Sequence, residues 1–229
     1  MADTGTATPR ERYRAQIRAE IKERAWQQIA TTGASALSLN AIAKQMGMSG
    51  PALYRYYANR DELITELIRD AYRSLADTLR SAAEKAVEKA AEKGSEEGGG
   101  GLVVLAHAVR AWALRDPQRY LLIYGTPVPG YHAPDDITAI SSQIMTLLLD
   151  AASTTTPPRR PETPLDHHLA THRDWAGDHP APPAVLHRAL SFWTRVHGVL
   201  SLELAGHFAG MGFDPALLFA AELDDLPAR

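Results

Sequence analysis

Between Leu37 and Leu63 the apolar positions come in short bursts at helical spacing, separated by residues that stop and restart helices. Ser38 stands where an N-cap is needed, and Ile42, Ala43 and Met46 then share one face of a segment ending at Met46. Gly47 follows, where a helix end calls for a residue tolerant of positive φ, and Met48 supplies an apolar contact across the bend. Ser49 can cap a second, shorter helix, and Pro51 in its first turn forfeits no intrahelical hydrogen bond. Leu53 and Tyr57, four apart, anchor that helix inward and leave Gly50, Ala52, Tyr54, Arg55 and Tyr56 for its other faces. Asn59 to Glu62 has the spacing of a capping box and opens a third helix carrying Leu63, Ile64, Leu67 and Ile68. Upstream, Ile17, Ile21, Ala25 and Ile29 form one apolar stripe that ends at Thr32-Gly33.

Beyond residue 75 the pattern stays helical and its punctuation changes. Ser81 to Lys93 is alanine-rich and extends the helix begun near Arg60, until the GSEEGGGG stretch breaks it. Gly98 to Gly101 follow no strand and precede no Gly-Lys-Ser/Thr, so they read as a connector and not as a phosphate cradle. Leu102–Leu114, Gln118–Tyr124 and Ile137–Leu149 read as helices, with turns through Pro127, Pro129 and Pro134. From 152 to 183 prolines and polar residues dominate, which predicts an irregular excursion. A long helix then spans Ala184–Phe208, and a short one closes the chain over Pro215–Leu223. The expected class is all-α: an arm over 1–12, a three-helix helix-turn-helix domain over 13–60, and a larger helical domain over 61–229.

The residues Leu37-Ser38, Ile42-Ala43, Gly47-Met48-Ser49, Leu53 through Tyr57 and Asn59 through Leu63 closely resemble the DNA-binding domain of TetR-type transcriptional regulators. A looser resemblance links Ala113–Gly125 and Trp193–Phe208, with its Trp, His-Gly and Leu-Glu-Leu pattern, to the C-terminal domain of one subgroup of that family. The first likeness implies that Ser38, Asn40, Ser49, Gly50, Pro51, Ala52, Tyr54, Arg55, Tyr56 and Arg60 face DNA. Tyr54 and Tyr56 would meet phosphates or sugars. Arg60 stands where the family usually has a phosphate-binding lysine. Gly50 and Ala52 carry no hydrogen-bonding side chains, so Asn40, suited to adenine, and Arg55, suited to guanine, are the candidates for base reading. Each also has a plain reading, Asn40 as a first-turn residue of its helix and Arg55 as a solvated charge.

For the rest of the chain the resemblance implies a homodimer through two C-terminal helices, here those near 137–149 and 184–208. It also implies a small-molecule effector that releases the repressor from a palindromic operator. Trp112, Tyr120, Tyr124, Phe192, Trp193 and His197 are the aromatic candidates for that effector site, although such residues also simply fill cores. A small apolar or aromatic effector is the expectation.

Charge changes the picture by its distribution. Residues 1–60 hold nine Lys/Arg against four Asp/Glu, a balance of +5, so the chain's net −3 leaves −8 for the remainder. A basic head on an acidic body fits phosphate attraction at one end. Arg10, Arg12, Arg14 and Arg18 extend that head, with a solvated charge run as the plain alternative. The chain has no cysteine, no apolar run approaching the roughly 18 residues of a membrane span, and a polar N-terminus unlike a signal peptide, so a cytoplasmic place is expected. The rival class is a metal-binding protein or enzyme built on His167, His168, His172 and His179, with Asp166 and Asp174 among them. On a helix His168 and His172 would share a face, yet no His-Glu-x-x-His, nucleophile elbow or dinucleotide fingerprint is present. Neither a cofactor nor catalysis is expected.

Overall fold

The computed structural model describes residues 8–93, 101–125, 131, 134–154 and 161–224. The glycine connector as far as Gly100, the turns through Pro127 and Pro129, most of the N-terminal arm and the TTPPRR stretch lie outside them, while Gly101 opens the next helix. All regular structure among the described residues is helical, and none of these helices is long and apolar enough to cross a membrane. Backbone contacts divide the chain into two compact units, with the boundary between Asp70 and Ala71.

The first unit opens with α1 (Pro9–Thr32), started by a capping box in which Thr8 accepts from the Glu11 N–H and Glu11 accepts from the Thr8 N–H. That box places Arg10 and Arg12 on the first turns of a helix, where a basic arm was expected. A short 3-10 turn over Ala34–Ala36 leads into α2 (Leu39–Gln45), whose N-cap Ser38 accepts from the Ala41 N–H at 3.3 Å. Gly47, at φ +66°, makes the bend, and the Met48 N–H returns to the Ala43 carbonyl at 2.9 Å. α3 (Gly50–Leu53) is a single turn, continued by a non-helical turn over Tyr54–Tyr56. α4 (Arg60–Lys93) then begins with a shifted capping box. Asn59 accepts from the Glu62 N–H at 2.8 Å, while the Glu62 carboxylate reaches past it to the Ala58 N–H at 2.6 Å. Ile21, Ala25, Ile42, Leu53, Tyr57, Leu63, Ile64 and Leu67 are fully or almost fully buried and make the core.

The second unit takes the rest of α4 together with α5 (Gly101–Arg115), α6 (Pro117–Tyr124), α7 (Asp135–Ser153), α8 (Pro164–Leu169), α9 (Pro183–Leu204) and α10 (Pro215–Asp224). α9 is the spine, packing on α5, α6, α7, α8 and α10. It ends at Leu204, four residues short of the predicted Phe208, because Gly206 at φ +77° closes a Schellman turn. There the His207 N–H bonds Leu202 and the Gly206 N–H bonds Glu203. Within the proline-rich stretch the described part holds structure: Thr163 and Asp166 form a reciprocal cap for α8. Leu169, Ala176 and Ala181 bury against the core. Capping supplies the helix and three small apolar anchors supply the fit, in a sequence whose prolines suggested neither.

Two substitutions test the first core. Leu53→Ala should destabilise the protein by about 2–5 kcal/mol in denaturant unfolding, by lost burial plus a cavity. The Tyr57 hydroxyl is buried without a hydrogen-bond partner among the described residues, so Tyr57→Phe should be neutral or stabilising.

Candidate nucleic-acid interface

In the first unit α2 and α3 present one polar surface. Asn40, Lys44, Ser49, Pro51, Tyr54 and Arg55 are exposed, while Ser38, Gly50, Ala52 and Tyr56 are half-buried beside them. Asn40 and Gly50 are close neighbours: a methyl group at position 50 would sit 3.5 Å from the Asn40 Oδ1. The first turn of α2 and the start of α3 therefore meet, and a bulkier residue at 50 would crowd the Asn40 amide. Ser49 occupies the N-cap position of α3 in extended backbone, but its hydroxyl makes no capping bond there. Ser38 is engaged on both sides, its N–H donating to Gln28 at 3.0 Å while its hydroxyl caps α2.

Three arginines have structural partners. Arg14 donates to the Arg55 carbonyl at 3.3 Å and Arg18 to the Tyr56 carbonyl at 2.6 Å, satisfying acceptors that a one-turn helix leaves bare. Arg18 also lies 4.2 Å over the Tyr57 ring and 3.5 Å from Glu66. Burial of that ring pushes the Tyr57 hydroxyl up to about 12. Arg60 reaches back to the carbonyls of Ala34 and Ser35, at 2.8 and 3.2 Å, and lies 3.5 Å from Asp61. It fastens the 3-10 turn to the start of α4, an acceptor pair that sequence spacing could not reveal. Lys44, exposed on the last turn of α2, was not singled out from sequence; its signal is a lone cation beside the bend.

In the second unit four of the six aromatic candidates converge. Trp193 and Tyr124 lie 4.0 and 4.3 Å from His197, ring centre to ring centre, and Tyr120 lies 5.5 Å away, stacked. Tyr72, from α4, joins edge-on to Tyr124 at 6.1 Å. It was missed, although it lies four residues after Ile68 on the same helix. Trp112 and Phe192 are buried instead in the general core, with the Trp112 N–H donating to Ser74 at 3.1 Å. Tyr120 Oη lies 2.9 Å from His197 Nδ1 and 3.0 Å from Ser201 Oγ. Burial pulls His197 down to about 4, raises Tyr124 well above its ordinary range, and raises Tyr120 against the opposing pull of Ser201. The imidazole is neutral at pH 7.

The histidine group disperses. His168 and His172 do share a face, with rings stacked 3.9 Å apart and nearly parallel, so their in-plane lone pairs run side by side and do not converge on one ion. His179 faces Asp150 at 3.1 Å, and His167 lies 3.6 Å from Glu162. Asp166 is spent on the α8 cap and on His187, and Asp174 starts a 3-10 turn. Among the described residues no group of three or more potential ligands could hold a metal.

Two family models match the chain. One, for bacterial regulatory proteins of the tetR family, covers residues 21–67, and the other, for a Tetracyclin repressor-like C-terminal domain, covers 102–226. The HTH-type transcriptional regulator Rv1816 of Mycobacterium tuberculosis H37Rv is 37% identical over 232 residues, spanning 97% of this chain and 95% of the relative. Mb1846 of Mycobacterium bovis, named in the same way, matches equally. Among solved structures, the putative regulatory protein SCO4313 shares 65% identity at a TM-score of 0.82, over 97% of this chain and 100% of its own. A protein of unknown function from Rhodococcus sp. RHA1, 20% identical at a TM-score of 0.66, is a likeness of fold alone.

The buried imidazole makes stability depend on pH. The unfolded chain binds a proton near 6.5 and the folded one only near 4, so His197 contributes stability fully above about 6.5 that is lost as pH falls toward 4. The loss should reach up to about 3 kcal/mol. Urea unfolding of the wild type and His197→Gln should show their stability difference narrowing across that window; a constant difference would refute it.

Proposed function

The chain belongs to the tetR family of bacterial regulatory proteins and is a helix-turn-helix transcriptional regulator, and from that premise we propose that it acts as a homodimeric repressor, released from a palindromic operator by a small effector. The observation that carries the reading is the joint surface of α2 and α3, where Asn40 meets Gly50 and Arg55 stands exposed. Gly50, Pro51 and Ala52 bring backbone close to the duplex, Asn40 and Arg55 supply the base-reading side chains, and Ser38, Ser49, Tyr54 and Tyr56 position the head on phosphate and sugar. Arg60 acts by holding the 3-10 turn, its guanidinium already committed to two carbonyls.

In a two-fold dimer the paired heads would read half-sites about one turn, ~34–36 Å, apart. Of the two helices expected at that contact, α7 has spent Ile137, Ile140, Ile144, Leu148 and Leu149 inside its own chain. On α9 and α10 the exposed large apolar residues are Leu202, 45% exposed, and Leu217, 71% exposed, with Met211 and Phe213 exposed between the two helices. Gly198, exposed on the same face of α9 as Leu202, has open space where a side chain would go. Nothing among the described residues requires that glycine, although a mid-helix glycine costs about 0.5–1 kcal/mol relative to alanine. We therefore place the partner copy against α9 and α10. An effector held by Tyr72, Tyr124, Trp193 and His197 would release DNA only by binding the two states with unequal affinity.

Fluorescence anisotropy on duplexes from around the protein's own coding region tests the reading. Tight binding to one duplex over its scrambled control, weakening steeply with salt, is expected. Asn40→Ala and Arg55→Ala should each cost about 1–3 kcal/mol of that discrimination. Absence of binding at low salt, to these duplexes and to a random pool, would sink it. In sedimentation, Leu217→Arg with Leu202→Arg should yield monomers, whereas Ser142→Arg on the outer face of α7 should leave dimers.

A further inference from the structure

Among the buried polar atoms of the C-terminal unit, His197 Nε2 lies inside the aromatic cluster, shut off from water and with no hydrogen-bond partner among the described residues. The groups around Tyr120 bear on which nitrogen of the ring carries the proton. Tyr120 has one hydroxyl hydrogen and three neighbours, His197 Nδ1 at 2.9 Å, Ser201 Oγ at 3.0 Å and, further off, the His197 carbonyl at 3.4 Å. If Ser201 donates to Tyr120 and Tyr120 donates to Nδ1, its shortest contact, both hydroxyl hydrogens have acceptors and the neutral ring carries its proton on Nε2, the one hydrogen of the group left unmet. The reverse order, with Nδ1 donating to Tyr120, leaves the Tyr120 hydrogen either to Ser201, whose own hydrogen then lacks an acceptor among the described residues, or to the longer 3.4 Å contact with the His197 carbonyl. Leaving a buried donor unmet costs about 1–3 kcal/mol, and the flanking rings of Trp193 and Tyr124 offer only weak π acceptance.

We propose that His197 is the reading group of the effector site, donating its Nε2 hydrogen to a carbonyl oxygen on a flat, uncharged ring system held against Trp193 and Tyr124. This rests on the effector reading above and adds the chemical class. Trp193, Tyr124 and Tyr72 are half-buried, so the ring cluster has an accessible side. The downward shift of His197 comes from burial alone, with no charged neighbour contributing. A cationic or anionic ligand would therefore lose its hydration with no counter-charge to meet it. An acceptor-bearing neutral ring satisfies the donor and keeps the site uncharged. Tyr120 and Ser201 touch no ligand in this scheme; they are positioning residues that hold the tautomer.

The test uses full-length protein and four matched probes: 2-acetylnaphthalene, its hydrocarbon isostere 2-isopropenylnaphthalene, 2-naphthoate and (2-naphthylmethyl)trimethylammonium. By calorimetry the ketone should bind at least about tenfold more tightly than the isostere, and both charged probes more weakly than the ketone. His197→Phe should abolish the ketone's advantage while leaving the hydrocarbon's affinity unchanged. Nitrogen NMR on the wild type reports the tautomer without any substitution. Nε2 should carry the proton, its resonance should move with the ketone and not with the isostere, and Tyr120→Phe should relax the preference. Equal binding of ketone and isostere, tighter binding of either ion, or a proton on Nδ1 would overturn the proposal and leave the effector reading standing. No saturable binding of any probe would overturn both.

Discussion

One turn of helix constrains several backbone dihedrals in return for one or two hydrogen bonds, so α3 cannot hold its own shape in water. Everything that α3 and its neighbours present to solvent therefore depends on groups that fasten the segment from behind. Leu53 and Tyr57 pin it inward by burial, and Arg14 and Arg18 satisfy the carbonyls that the short helix exposes. Arg18 joins three kinds of contact at once: a carbonyl, an aromatic face and the Glu66 carboxylate. The surface of α2 and α3 is thus held from behind by two cations of α1. The small residues Gly50 and Ala52 are then free for the close approach to DNA proposed for them.

α9 carries a comparable division of labour in the second unit. Its inner face, through Val185, Leu186, Ala189, Phe192, Val196 and Leu200, buries almost completely. Trp193, His197 and Ser201 fall at four-residue spacing on an intermediate face and meet Tyr120 and Tyr124 of α6. Thr194, Gly198 and Leu202 occupy the exposed face. One helix therefore offers three chemically different strips: an apolar one that stabilises the unit, a hydrogen-bonding aromatic one suited to a small molecule, and a small-residue one suited to a partner. A ligand that shifts the middle strip acts on the same rigid rod that carries the outer one, which gives effector binding a physical route to the contact proposed between copies.

Local signals in the chain were read well where local chemistry decides. Helix starts at Ser38 and Asn59 follow from side-chain caps, and the bend at Gly47 from positive φ, whereas the cap at Thr8 turned an expected arm into helix. What spacing did not show has a common cause. Arg14, Arg18 and Arg60 reach carbonyls dozens of residues away in sequence, acceptors that no composition marks. α9 was drawn too long because Leu204 and Phe208 continue the periodicity, whereas the Gly206 turn obeys backbone geometry. The proline-rich stretch hid α8 because Thr163 and Asp166 look like ordinary polar residues until they cap one another.

The sequence by itself determined the class of fold, the helix-turn-helix and its family, because these rest on spacing, capping and turn residues that act within a few positions of one another. It also named the aromatic group, since Tyr120, Tyr124, Trp193 and His197 each stand on a recognisable helix face. Only the tertiary structure decided which of those rings meet, that Tyr72 joins them, that Trp112 and Phe192 belong to the core, and that His197 keeps an unmet nitrogen. The reason is physical. Burial and hydrogen-bond satisfaction depend on which atoms surround a group, and that is set by the packing of helices far apart in the chain.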